Sequence, residues 1–114
     1  MSEERSSPVA GRVFYRYMSR AEVEAVVRTG KLRGGRPGRT YWTTDLYGSP
    51  TEAKSRLALE YLPEARLEFR ITSEPGLLLA GTRVEPDEDE PGGGTEYVSE
   101  ESVEAEVVSV DYLE

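Results

Sequence analysis

Three residues on well-separated segments have types that could work together on one reaction. Arg16 stands in Tyr15-Arg16-Tyr17, Thr43 in Tyr41-Trp42-Thr43-Thr44-Asp45, and Glu96 in Pro91-Gly92-Gly93-Gly94-Thr95-Glu96-Tyr97. An arginine between two rings can hold a phosphate or carboxylate through paired hydrogen bonds. A hydroxyl beside aromatic side chains can bond a ligand or orient a carboxylate, and Tyr41 and Trp42 can stack on a flat heterocycle. Three consecutive glycines let backbone approach a ligand closely, and Glu96 follows them at the mouth of a strand. Each feature also has a plain structural reading: an edge-strand arginine, a core tryptophan, a glutamate that merely opens a strand. The chain of 114 residues has no histidine and no cysteine. It therefore offers no imidazole base, no thiol nucleophile and no His/Cys metal site. Any chemistry rests on Arg, Ser, Thr, Tyr and carboxylates.

The elements that must position these residues can be read from periodicity and caps. Val13–Tyr17 reads as a strand. Ser19-Arg20-Ala21-Glu22 is a capping box, with Met18 and Val23 placed as a hydrophobic staple. The helix it opens runs to about Thr29, with Val23, Val26 and Val27 on one face, and Gly30 stops it. Lys31–Thr40 reads as an ordered loop and Tyr41–Thr44 as a short strand. Ser49-Pro50-Thr51-Glu52 starts a second helix that ends before Pro63. Arg66–Thr72 alternates, with Leu67, Phe69 and Ile71 inward. Leu77–Val84 reads as a strand broken at Gly81, Pro86–Gly94 as an acidic glycine-rich loop, and Tyr97-Val98 and Val107–Tyr112 as further strands. This order predicts an α+β domain with two helices in its N-terminal half, packed on a largely antiparallel sheet. Residues 1–11 read as a loose leader and 12–114 as a single domain.

The net charge of −8 is unevenly spread: residues 1–56 carry +5 and residues 57–114 carry −13. Arg28, Lys31, Arg33, Arg36 and Arg39 form a basic run without an intervening acid. A local basic strip on an acidic chain suits a small phosphorylated ligand better than nucleic acid. A solvated basic loop is the alternative. Leu32-Arg33-Gly34-Gly35-Arg36-Pro37-Gly38 lacks the Gly-Lys-Ser/Thr ending of a phosphate loop. No apolar stretch approaches the ~20 residues that span a bilayer.

In order, the chain gives an Arg on the first strand, a Thr after an aromatic on a middle strand and a Glu on a late strand. This resembles the Arg–Ser/Thr–Glu signature of ADP-ribosyltransferases. The run "YRYMSRAEVEAVVRTGKLRGGRPGRTYWTTD", then "SRLAL" before a Pro-Glu, then "FRI", "GTRVEP" and "PGGGTEY", is similar to the ADP-ribosyltransferase toxin domains of Rhs-type bacterial polymorphic toxins. The subgroup includes the toxin that modifies elongation factor Tu. The likeness runs from about Val13 to Leu113.

The resemblance implies a split β-sandwich with NAD as co-substrate in its cleft and no metal. It implies that Arg16 holds the NAD phosphates and ribose, that Thr43 takes the Ser/Thr role with Thr44 beside it, and that Glu96 is the catalytic glutamate. Tyr17, Tyr41, Trp42 and Arg36 complete the expected cofactor-binding set. It implies a protein acceptor, elongation factor Tu among the candidates, a cognate immunity protein, and action in the bacterial cytoplasm as part of a larger delivered toxin or alone. Many arginine-modifying relatives carry Glu or Gln two residues before the catalytic glutamate; here that position is Gly94. A catalytically inactive relative and an acidic immunity- or inhibitor-type binding protein are the alternatives, the second favoured by the acidic C-terminal half.

Overall fold

The computed structural model describes residues 11–33, 39–73, 76–87, 90–100 and 102–113. Apart from Gly11, the leader lies outside them, as do Arg36 and its glycine-rich neighbours. The elements are β1 (Val13–Met18), α1 (Arg20–Thr29), β2 (Lys31–Leu32), β3 (Arg39–Trp42), α2 (Pro50–Leu57), β4 (Ala65–Ile71), β5 (Gly76–Arg83), β6 (Thr95–Glu100) and β7 (Val103–Tyr112). The fold is α+β, with both helices in the N-terminal half. Every strand pair is antiparallel. The strands form two sheets, ordered β1-β4-β7-β2 and β3-β6-β5.

The alternating pattern of β4 sets the larger sheet. Leu67 and Phe69 are fully buried, while Arg66, Glu68 and Arg70 take the other face. Phe14 and Met18 of β1 and Val103 and Ala105 of β7 join the buried side. The smaller sheet adds Trp42 and Tyr97 to the same core, and Phe14 links the sheets. Its ring lies 5.9 Å from Trp42, 5.1 Å from Tyr97 and 6.2 Å from Phe69. Edge-on and tilted aromatic contacts of this kind add to the burial of apolar surface.

Both helices open at the residues expected to open them, and α1 ends at the expected glycine, whereas α2 ends at Ala58 in the left-handed conformation, a cap that was not expected. Ser19 and Glu22 complete a reciprocal capping box, and Gly30 takes the left-handed conformation at φ 72°. Ser49 caps α2 with Pro50 in its first turn. Helix α1 covers the sheet along a narrow seam, so Val23 and Val26 are buried but Val27 is 59% exposed; the expected three-valine face is a two-valine face. Three strand readings also change. Lys31–Leu32 is no loop but pairs with Glu104–Val103 of β7. β5 continues through Gly81, where a register shift and φ of 76° make a bulge rather than a break. The strand expected over Tyr41–Thr44 instead runs Arg39–Trp42, starting two residues earlier and ending two earlier.

Candidate functional site at the fork between the sheets

The end of β3 is where the two sheets divide. Its ladder with β6 runs from Arg39↔Glu100 to Trp42↔Tyr97. Had it continued, Thr43 would have faced Glu96. Instead Thr43 turns to β1 and exchanges both backbone hydrogen bonds with Tyr15, at 2.8 and 2.9 Å. β6 meanwhile stays with β5, where Glu96 pairs with Thr82. A fork opens between β3 and β6, and a cleft of about 490 Å³ lies there. Arg16, Tyr17, Tyr41, Trp42, Thr43 and Glu96 all line it. Thr44 does not, and Arg36 is outside the described residues.

Arg16 lies on the core side of β1, between Phe14 and Met18, because alternate strand residues share a face. Its side chain is 11% exposed, and burial pulls the guanidinium below its ordinary pKa, offset in part by Glu22. Nη1 donates to the Tyr41 carbonyl of β3 at 2.8 Å, and Nη2 lies 3.6 Å from Glu22 Oε2. Glu22 thus serves the helix cap and the cleft together. Its Oε1 accepts from the Ser19 N–H at 3.0 Å and from the Tyr61 hydroxyl at 3.0 Å. Burial works to raise the Glu22 carboxyl, yet the Ser19 N–H, Arg16 and Tyr61 outweigh it and hold it below the ordinary carboxylate range. The capping-box spacing revealed the first of these roles; nothing in the sequence pointed to the contacts of Glu22 with Arg16 and Tyr61.

Glu96 is the second residue of β6 and half-buried. Its side chain makes no hydrogen bond or ion pair with a described residue. Burial raises its carboxyl pKa, and the nearby Glu85 raises it further. Thr43 is buried, and its hydroxyl accepts from the Asp45 N–H at 3.0 Å. Two of the expected ligand-facing rings are used by the protein itself. Trp42 is core, stacked on Tyr97 at 11° between planes. The Tyr17 hydroxyl donates to the Asp45 carbonyl at 2.9 Å and accepts from the Tyr47 N–H at 2.6 Å. Tyr15, Tyr41 and Tyr61 supply the remaining aromatic lining.

The triple glycine serves the chain's own packing. Gly92 N–H donates to the Ser55 carbonyl and Gly94 N–H to the Arg56 carbonyl, satisfying acceptors at the end of α2 that the helix leaves open. A Cβ on Gly92 would lie 2.7 Å from the Val84 oxygen, and one on Gly94 2.8 Å from the Tyr47 hydroxyl. Lys54 pairs with Glu90 and ties the acidic connection to α2. The result carries Glu85, Pro86 and Asp87 to the wall of the cleft.

The charge around the cleft is therefore acidic. Glu60, Glu85, Asp87 and Glu96 line it with Arg16 as its one cation among the described residues, and Arg16 already faces Glu22. The described part of the basic strip is not there: Arg28, Lys31, Arg33 and Arg39 are absent from the lining. Lys31 sits on β2, at the edge of the larger sheet opposite β1. Among the described residues no group of carboxylates is arranged to hold a metal ion, and no helix is long and apolar enough to cross a membrane. No family model, curated protein or solved structure matches this chain.

Proposed function

We propose that the protein is an NAD-dependent mono-ADP-ribosyltransferase that modifies a protein target. The observation that carries this reading is the meeting of Arg16, Thr43 and Glu96, from three separate segments, around one cleft at the fork. The resemblance of its motifs extends the proposal to an antibacterial toxin acting in the bacterial cytoplasm on the translation machinery, with elongation factor Tu as an acceptor. In this reaction the bond between nicotinamide and ribose breaks, and nicotinamide leaves with the bonding pair. The acceptor nucleophile bonds to the ribose carbon and gives up its proton. Positive charge develops on the ribose on the way, and the Glu96 carboxylate is the group suited to stabilise it. The donor set fits an anionic dinucleotide at one point: Arg16 engages two partners and has five N–H donors. Tyr41 offers a flat surface to a ring.

A second reading has an observation of its own. The side chains of Glu60, Glu85 and Glu96 lie in the cleft without an ion pair or hydrogen bond to a described residue. An acidic cleft suits a cationic segment of a partner protein, as an inhibitor or immunity-type module would bind. One experiment separates the two. The protein is incubated with NAD labelled on its adenylate part and a bacterial lysate, beside Glu96→Gln. A labelled protein band that the variant does not give supports transfer. No band, together with no release of nicotinamide, rejects it in favour of the binding module.

A further inference from the structure

At the fork, β6 loses the strand that should satisfy its backbone, and one side chain stands in for that strand. The β3–β6 ladder ends at Trp42↔Tyr97, so Thr95 and Glu96 have no backbone partner on that side. Asp45 Oδ2 accepts the Thr95 N–H at 2.6 Å, a short charge-assisted bond. The same oxygen accepts the Tyr47 hydroxyl at 3.1 Å. Asp45 is itself held from both sheets: its N–H donates to Thr43 Oγ1 at 3.0 Å and its carbonyl accepts from the Tyr17 hydroxyl at 2.9 Å. Arg66 of β4 completes the frame through the Tyr47 carbonyl at 2.9 Å.

We propose that Asp45 is a positioning residue, whose carboxylate bridges the fork and fixes the first residues of β6 so that Glu96 is held in the cleft opposite Arg16. The catalytic consequence rests on the transferase reading above; the placement of Glu96 does not. A carboxylate is the side chain this place needs. A backbone carbonyl from a continued β3 would close the fork, and an uncharged acceptor would bind the Thr95 N–H less strongly. Thr43 gains a second role by the same bond, since it orients Asp45 as well as joining β3 to β1.

The test compares Asp45→Ala, which removes the acceptor, with Asp45→Asn, which keeps an oxygen but not the charge. Three readouts are taken: hydrogen exchange of the Thr95 amide, the titration of the Glu96 carboxyl by NMR, and NAD turnover. In Asp45→Ala, Thr95 exchange should rise and the Glu96 titration should move toward that of an ordinary glutamate. Asp45→Ala and Asp45→Asn remove the same charge beside Thr95, so a larger movement in Asp45→Ala than in Asp45→Asn reports displacement rather than a lost charge. Turnover should fall about 100-fold at a nearly unchanged Michaelis constant, the effect of a small misplacement of a reacting group. Asp45→Asn should lie between Asp45→Ala and the parent in all three, and carries the test if Asp45→Ala does not fold. Faster Thr95 exchange with an unmoved Glu96 titration would overturn the proposal. So would a loss of turnover without a change at Thr95 or Glu96. A parent protein that releases no nicotinamide would reject the transferase reading alone, and the exchange and titration results would still decide the role of Asp45.

Discussion

Glu96 combines two properties that a folded protein rarely tolerates without a reason. It is partly buried, and it has no positive partner among the described residues, while Glu85 stands near enough to raise its pKa further. The folded state therefore binds the Glu96 proton more tightly than the unfolded chain does. Stability tied to this residue is highest at low pH and falls as pH rises from the unfolded pKa through the raised folded one. Glu96→Gln should accordingly melt at a higher temperature than the parent at pH 7, and the gain should vanish below about pH 4, where both states are protonated. The same substitution should lower NAD turnover by roughly 100-fold, as removal of one preorganised electrostatic group does, with little change in NAD affinity. Scanning calorimetry at the two pH values checks the first expectation, and steady-state kinetics the second. A variant less stable at pH 7 with full turnover would leave Glu96 as an ordinary strand residue.

At the scale of elements, the connections decide whether the cleft has a wall. Gly92 has φ of 68°, and its absent Cβ leaves room for the Val84 carbonyl. Gly92→Ala should cost about 1–3 kcal/mol in denaturant unfolding, because the strained conformation and the contact act together. Gly93→Ala should cost less; it also has a positive φ, but the nearest neighbour to an added Cβ is an arginine side-chain nitrogen at 3.8 Å. Equal costs would show that only the left-handed conformation matters there. The helix ends were legible in the sequence because they are local: Ser19, Glu22, Gly30, Ser49 and Pro50 act within one turn of where they stand. The alternation of Leu67, Phe69 and Ile71 was legible for the same reason. The fork was not, because Tyr15–Thr43 and Asp45–Thr95 join residues far apart in the chain. The site residues Arg16, Thr43 and Glu96 could be picked out by type, and the cleft they share follows from these non-local bonds. The glycines were read as room for a ligand. They prove to be room for the ends of α2 and β5.

Charge is a property of the whole molecule, and its layout changes what the basic strip can do. The expectation drawn from sequence placed the strip's attraction at the ligand. In the fold, Lys31 and Leu32 occupy the edge of the larger sheet farthest from β1, while the cleft is walled by carboxylates. The −13 carried by residues 57–114 belongs to the half that supplies β4 to β7. Its field reaches an incoming ligand over a distance set by salt, about 30 Å at 0.01 M and about 10 Å at 0.1 M. An anionic dinucleotide would approach against this field and meet Arg16 as the one cation of the lining among the described residues. Raising salt across this range should therefore leave NAD affinity unchanged or tighten it, where a basic site would weaken it. A cationic peptide should show the opposite, with affinity falling steeply as the field is screened. Titration calorimetry of NAD and of an arginine-rich peptide at both salt concentrations measures the two slopes directly. NAD binding that weakens with salt would mean that cations outside the cleft lining, those of the strip included, reach the ligand. Peptide binding that falls with salt, with no NAD binding at either concentration, would make the acidic cleft a docking surface and the Arg16–Thr43–Glu96 set a structural remnant of the transferase pattern.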